Sequence, residues 1–226
     1  MSSIILLGML SACGGNQDKD KTAGTITNAK PSEAAPTVTD TKAKVQNILF
    51  FGTSLTAGYG LDPAEAYPAL IQKKIDSLDL PYKVINGGLS GETSAAGKSR
   101  IDWLLKQPIA VFVLELGAND GLRGLSVTET STNLQAVIDK VKAKYPNVKM
   151  VMAGMQMPPN MGTKYTADFK AVFSNLAQKN QMVFVPFLLE GVGGVAKLNQ
   201  EDGIHPTAEG QQILAENVWK KLKAEL

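Results

Sequence analysis

Residues 47–58 read Asn-Ile-Leu-Phe-Phe-Gly-Thr-Ser-Leu-Thr-Ala-Gly. The apolar run stops at Gly52, which is typical of a short buried strand followed by a breaker. Ser54 comes two residues later, and small residues then lead into a helical pattern. In α/β folds the carboxyl end of a strand borders the crevice that binds ligands. Ser54 is therefore either a nucleophile in that crevice or the cap of the next helix, since serine is a favoured N-cap.

The only histidine of the chain is His205, in the sequence Glu-Asp-Gly-Ile-His-Pro of residues 201–206. A carboxylate, Asp202, lies three residues before it. Because a serine nucleophile needs an adjacent base to take its proton, the base for Ser54 must be His205. Taken alone, Asp-x-x-His is more often a cap beside a surface histidine, so other motifs have to support the catalytic interpretation.

Apolar runs of strand length alternate with longer segments of helical period from Val45 onwards. Two of these runs, at 111–116 and 148–153, are almost continuously apolar, which is typical of strands buried on both faces of a parallel sheet. Regular alternation predicts right-handed crossovers and a three-layer α/β/α domain over residues 45–226. The predicted strands lie near 46–51, 83–86, 109–116, 148–154 and 182–187, and the predicted helices near 63–78, 93–106, 128–144, 165–180 and 207–225.

Unusual sequences follow the first three predicted strands. Gly52-Thr53-Ser54 follows the first, Asn-Gly-Gly-Leu-Ser-Gly-Glu-Thr (86–93) the second, and Gly-Ala-Asn-Asp-Gly (117–121) the third. A fourth segment, with Asp202 and His205, precedes the last predicted helix. Because the carboxyl ends of parallel strands meet at one edge of the sheet, we expect these four segments to converge on one crevice.

In this order the four segments resemble the motifs of the SGNH (GDSL-type) hydrolases, above all the branch of bacterial thioesterase I/lysophospholipase L1 and the arylesterases. The resemblance runs from about Gln46 to the C-terminus. It implies a flavodoxin-like fold whose five-stranded parallel sheet has the order 2-1-3-4-5. Thr53 departs from the pattern, since the motif that names the family has Asp there. That Asp is not catalytic, so the departure puts little of the chemistry in doubt.

The resemblance also implies roles for five residues. Ser54 resembles the nucleophile, Asp202 and His205 the other members of the triad, and Gly91 and Asn119 the donors of an oxyanion hole. Gly91 can offer only its backbone N–H, whereas Asn119 can offer its side-chain amide, and the backbone N–H of Ser54 is a third donor. On its own, Asn119 is more typical of a turn, and we interpret the neighbouring Asp120 as structural.

The function expected is that of a serine esterase acting through a Ser-His-Asp triad and an acyl-enzyme. Its expected substrates are small esters or thioesters, namely short-to-medium acyl esters, aryl esters, thioesters or lysophospholipids. The alternatives are an acetyl-ester hydrolase acting on carbohydrate or peptidoglycan, and a non-catalytic lipid-anchored binding module. Segments 121–124 and 155–162 are expected to border the pocket, where methionines suit varied apolar groups. Ordinary loop packing explains these segments equally well.

Neither a cofactor nor a metal site is expected, because the sequence has one histidine and one cysteine. Gly97-Lys98-Ser99 resembles the end of a phosphate-binding loop, but the preceding glycine, Gly91, is one residue too far back. The net charge of +2 gives no reason to expect nucleic-acid binding.

Residues 1–12 contain a short apolar run and resemble a lipoprotein signal peptide, although no Lys or Arg precedes that run. Leu10-Ser11-Ala12-Cys13 resembles a lipobox, in which Cys13 becomes lipid-modified; the alternative is an incidental thiol. Residues 13–44 are polar and bury too little apolar surface to fold, so we expect a disordered tether. These features predict a lipoprotein that is anchored to a membrane of the bacterial cell envelope and faces the periplasm or the exterior.

Overall fold

The computed structural model describes residues 44–226. The predicted signal peptide (1–12), the predicted lipidation site Cys13 and all of the predicted tether except Lys44 lie outside the described residues.

Five parallel strands form one sheet in the order β2-β1-β3-β4-β5, as the resemblance implied. The central strands are buried over their whole apolar length: Ile48 to Phe51 of β1 and Val111 to Leu114 of β3 have no exposed surface. Such continuous burial requires helices on both faces of the sheet. The strands are β1 Gln46–Gly52, β2 Tyr82–Gly88, β3 Val111–Glu115, β4 Lys149–Ala153 and β5 Val183–Val185.

Helices cover the two faces and complete the three layers. Helix α2 packs against α7, whereas α3 packs against α5 and α5 against α6. No helix within the described residues is both long and apolar enough to span a membrane. The helices are α1 Ser54–Ala57, α2 Tyr67–Ser77, α3 Ser94–Leu104, α4 Ala118–Leu122, α5 Val127–Lys144, α6 Thr163–Asn180 and α7 Ala208–Leu222.

The predicted helix near 63–78 is in fact two elements. A 3₁₀ turn at Pro63–Glu65, capped by Asp62, is followed by Ala66 in an extended conformation, and α2 begins only at Tyr67. Pro68 explains the break, since it has no N–H for the carbonyl of residue 64 and its ring would collide with that carbonyl. The side chain of Lys73 donates to this carbonyl instead.

Two one-turn helices were not predicted from the sequence. Helix α1 begins at Ser54, two residues after the end of β1, and α4 begins directly after Gly117, whose φ is 111°. Both lie at the carboxyl edge of the sheet, where β1 and β3 end. They place the side chains of Ser54 and Asn119 at this edge.

Candidate active site

Ser54, His205 and Asp202 are hydrogen-bonded in series. The Oγ of Ser54 lies 3.0 Å from Nε2 of His205, although the two residues are 151 positions apart. The Nδ1 of His205 lies 2.6 Å from Oδ2 of Asp202. The structure therefore brings the three predicted triad residues into one chain of side-chain contacts.

Asp202 is held as an acceptor by its own turn. Its Oδ1 accepts hydrogen bonds from the backbone N–H groups of Ile204 and His205, each at 2.9 Å. The imidazole of His205, together with these two N–H groups, lowers the pKa of Asp202 to about 2. A carboxylate at Nδ1 favours the tautomer that carries its proton there, which leaves Nε2 free to accept from Ser54.

The segment that carries Asp202 and His205 is docked against the residues that follow α1. Asn199 and Pro206 form an antiparallel bridge, and Gln200 donates through its side chain to the carbonyl of Tyr59 at 2.7 Å. The ring of Tyr59 packs on the imidazole of His205 with their centroids 4.5 Å apart. Tyr59 was not identified from the sequence, because nothing in its neighbourhood there distinguishes it from any exposed aromatic residue.

Asn119 faces the same cleft as Ser54 and His205. It is the second residue of α4, and its Nδ2 donates to the carbonyl oxygen of Glu92 at 3.0 Å. An amide nitrogen carries two hydrogens, so a second donor remains.

Gly91 lies in the neighbouring turn and, of the described residues, is not among those that line the cleft. Its φ is 78°, a conformation that favours glycine, and its carbonyl accepts from Nη2 of Arg123 at 3.1 Å. The N–H of Leu89 in the same turn donates to the carbonyl of Gly52 at 2.9 Å. This turn is thus hydrogen-bonded both to the end of β1 and to residues of the α4 region.

The cleft beside the triad has a volume of about 560 Å³, within the usual range for small-molecule sites. Segment 155–159 lines it, whereas segment 121–124 contributes only Leu122. A third wall comes from the residues after β5, which the sequence did not indicate. The large apolar side chains of the lining are Leu55, Leu122, Met155, Met157, Phe187, Leu189 and Ile204.

A buried carboxylate lies under the turn that carries Ser54. Glu115, the last residue of β3, is fully buried and accepts from the N–H of Thr53 at 2.8 Å. It also accepts from the hydroxyls of Thr53 at 3.0 Å and Thr56 at 2.7 Å. Burial raises the pKa of Glu115 to about 7, although these donors act in the opposite direction. The sequence contains one indication of this buried carboxylate, because Glu115 is the single charged residue within the apolar run 111–116.

Asp120 and Gly97, both noted in the sequence analysis, have structural roles. Asp120 is buried and accepts from the N–H of Ser94 at 2.7 Å and from its hydroxyl at 2.6 Å, which ties α4 to the start of α3. Gly97 lies inside α3, where a Cβ would come within 2.5 Å of Leu116. This glycine therefore lets α3 approach the sheet closely.

Within residues 44–226 no three His, Cys, Asp or Glu side chains form a group that could hold a metal ion.

Comparison with known proteins shows which family this chain is similar to. The model of the GDSL-like lipase/acylhydrolase family matches residues 50–213. Esterase TesA of Pseudomonas aeruginosa is 41% identical over 183 residues, which are 80% of this chain and 90% of that protein. Thioesterase 1/protease 1/lysophospholipase L1 of Escherichia coli strain K12 is 36% identical over 182 residues, covering 80% of this chain and 85% of that protein.

The chain is also similar to a solved esterase structure over most of its length. The psychrotrophic esterase EstA from Pseudoalteromonas sp., in a structure inhibited by monoethylphosphonate, superposes with a TM-score of 0.73 at 33% identity. The match covers 79% of this chain and 97% of that chain.

Proposed function

Because the chain belongs to the GDSL-like lipase/acylhydrolase family, we propose that it cleaves esters and thioesters through a covalent acyl-enzyme formed on Ser54. The match confirms the family resemblance of the four motifs. The chain is therefore a hydrolase of the esterase and thioesterase type, and the alternative of a non-catalytic binding module is set aside.

The observation that carries the mechanism is the series of contacts from Ser54 through His205 to Asp202. The Oγ of Ser54 attacks the carbonyl carbon while its proton passes to Nε2 of His205. The ionised Asp202 holds the imidazole and stabilises the imidazolium that forms. His205 then returns the proton to the departing alcohol or thiol. In the second half-reaction it activates the water that releases the acid and restores Ser54.

Asn119 supplies a donor for the oxyanion that develops on the substrate carbonyl. Its amide lines the cleft and keeps one hydrogen beyond the bond to Glu92. Backbone N–H groups of Ser54 and of Gly91, which lies in the turn beside the cleft rather than in its lining, complete the proposed oxyanion hole. Fixed donors at the developing charge are usually the largest single contribution to acyl-transfer catalysis.

The cleft lining favours acyl or aryl groups as the part of the substrate that is bound. Apolar side chains from five separate segments of the chain surround the space next to Ser54. Short-to-medium acyl esters, aryl esters, thioesters and lysophospholipids all present such a group. An acetyl ester of carbohydrate or peptidoglycan would leave most of this apolar surface uncovered, which makes it the weaker candidate.

Labelling with a fluorophosphonate probe tests the nucleophile. The probe should modify Ser54, as read by mass spectrometry of the digested protein, and the Ser54→Ala variant should neither be labelled nor hydrolyse p-nitrophenyl esters. Ser174→Ala removes an exposed hydroxyl from α6 and is the matched control, expected to keep full activity. Labelling at another serine in the active protein would overturn the proposal. An acyl-length series of matched esters and thioesters, with acetylated sugars, would then identify the preferred substrate.

For the N-terminal region we propose the lipoprotein arrangement that the sequence predicts. It rests on the lipobox-like Leu10-Ser11-Ala12-Cys13 and on the polar composition of residues 13–44. Lipid attached at Cys13 would hold the enzyme at a membrane of the cell envelope, on the periplasmic or exterior side.

A further inference from the structure

Glu115 has no part in the mechanism above, yet it lies next to the nucleophile. It pairs with Gly52 in the register of β1 and β3, and its side chain reaches under the turn that follows. A Cβ on Gly52 would lie 2.5 Å from Oε2 of Glu115 and 2.1 Å from Oγ1 of Thr56. The absence of a side chain at residue 52 is therefore what makes room for the carboxylate.

The donors to Glu115 lie on both sides of Ser54 in the sequence. Thr53, immediately before it, donates through its N–H and its hydroxyl, and Thr56, two residues after it, donates through its hydroxyl. Since the one hydrogen of the Thr56 hydroxyl is used here, the phenol of Tyr67 donates to Oγ1 of Thr56 at 2.9 Å. The carboxylate thus joins both ends of the turn to the end of β3.

These contacts suit an ionised carboxylate. An anion accepts all three hydrogens, whereas a protonated acid adds a hydrogen of its own, which would compete for Oγ1 of Thr53 and displace the hydrogen of that hydroxyl. Thr53 is buried, so a displaced hydroxyl hydrogen would lose its bond without gaining one to water. Within the described residues no Lys, Arg or His forms an ion pair with Glu115, so neutral donors alone hold it.

We propose that Glu115 is a positioning residue, which fixes the Oγ of Ser54 against His205 by accepting hydrogen bonds from Thr53 and Thr56. This role rests on the proposed function, in which Ser54 is the nucleophile. The Ser54–His205 hydrogen bond spans 3.0 Å, and a misplacement of about 1 Å in such a constellation can cost about 10²-fold in rate. Thr53, which departs from the family motif, supplies two of the three bonds.

The test compares Glu115→Gln with the wild type. Glutamine keeps the shape but offers one acceptor oxygen and an NH₂ group, so at least one of the three donors loses its partner. We expect kcat to fall about 10–100-fold, with KM changed by less than about twofold. The rate of fluorophosphonate labelling at Ser54 should fall by a similar factor. Val141→Ala, a remote core substitution in α5, is the control for lowered stability alone.

A second pair of variants tests the same role without altering the charge. Thr53→Val removes the hydroxyl and keeps the shape, whereas Thr53→Ser keeps the hydroxyl. The valine variant should lose kcat and the serine variant should retain it. This pair decides the question even if Glu115→Gln does not fold.

Two results would overturn the positioning role. One is a folded Glu115→Gln variant with wild-type kcat and labelling rate; the other is equal kcat for Thr53→Val and Thr53→Ser. Both leave the proposed function intact if the wild type is labelled at Ser54. Labelling of the wild type at another serine would overturn the proposed function, and the positioning role with it.

Discussion

The Nδ2 atom of Asn119 lies 3.0 Å from the carbonyl oxygen of Glu92, in the turn that also contains Gly91. This bond fixes which end of the amide faces the turn and leaves the second hydrogen available to a ligand. Asn119 is thus bonded to the residue that follows Gly91, the other proposed donor, before any substrate binds. Such preorganisation reduces the reorganisation needed during the reaction.

The Asn119→Ala variant should lower kcat by about 10²–10³ while KM changes much less. The reason is that a donor aimed at the oxyanion stabilises the transition state more than the bound substrate. Steady-state kinetics with a p-nitrophenyl ester measure both constants. Asn47→Ala is the matched control, since it removes another amide bond to a backbone carbonyl, that of Pro108, away from the cleft. A large rise in KM at unchanged kcat would instead make Asn119 a substrate-positioning residue.

The His205→Ala variant should lose several orders of magnitude in kcat, because the members of a triad act as a unit. His205 is the only histidine of the chain, so no second imidazole can replace it.

The Asp202→Asn variant should lose about 10³–10⁴-fold in kcat, because an amide does not stabilise the required tautomer of His205. Single-turnover acylation of Ser54 measures both losses directly. If either variant retained most of its kcat, the proposed triad would be wrong.

The stability of the domain should depend on pH through Glu115. Its carboxyl binds the proton more tightly in the folded state, where its pKa is about 7, than in the unfolded chain, where its pKa is about 4.5. Burial of the charge thus outweighs the hydrogen bonds from Thr53 and Thr56, so the folded state is favoured most below pH 4.5, where Glu115 is protonated, and this contribution is lost as pH rises towards 7. The loss should amount to roughly 3 kcal/mol. Urea unfolding of the wild type and of Glu115→Gln across this range measures it.

The difference in the free energy of unfolding between the wild type and Glu115→Gln isolates the titration of Glu115 from that of the other groups. Tyr67 is the titratable group closest to it in the hydrogen-bonded network, and burial followed by the charge of Glu115 raises the pKa of that phenol. Tyr67 thus stays neutral throughout the range. Asp202 contributes in the opposite sense, since its lowered pKa adds stability that is lost only as pH falls towards 2. Parallel stability curves for the two proteins would contradict a raised pKa for Glu115.

The Cys13→Ser variant should shift the protein from the membrane fraction to the soluble fraction of a bacterial host, or leave it as an uncleaved precursor. The reason is that serine cannot carry the thioether-linked lipid. Fractionation with immunoblotting, together with mass analysis of the mature N-terminus, measures the outcome. A wild-type protein that is wholly soluble, with no lipid mass on Cys13, would contradict the lipoprotein proposal.

The layered fold could be predicted because its central strands are long, apolar and regularly spaced by helical segments. The sheet order came from the family resemblance rather than from the strand pattern. The helices α1 and α4 were missed because a single turn is too short to show a helical period. Pro68 was overlooked as the cause of the break before α2.

At the site, Ser54 and His205 could be predicted to meet because a serine nucleophile needs an imidazole and the chain has one. The hydrogen bonds between Glu115 and Thr53 could not be predicted from the sequence. The two residues are 62 positions apart, and only the register of β1 on β3 brings them together. The contact between the rings of Tyr59 and His205 depends likewise on how one turn docks on another. The wall of the cleft after β5 contains ordinary apolar and glycine residues, which no local pattern marks.

The separation of 151 positions between Ser54 and His205 has a consequence for the growing polypeptide. Chains emerge from the ribosome N-terminus first, and a domain generally folds as a unit. Strands β1, β2 and β3, with the turn around Ser54, are made well before the segment that carries Asp202 and His205. A ribosome-bound chain that ends before this segment carries the proposed nucleophile but lacks the proposed base. If Ser54 and His205 act as proposed, hydrolysis begins only after synthesis has passed His205.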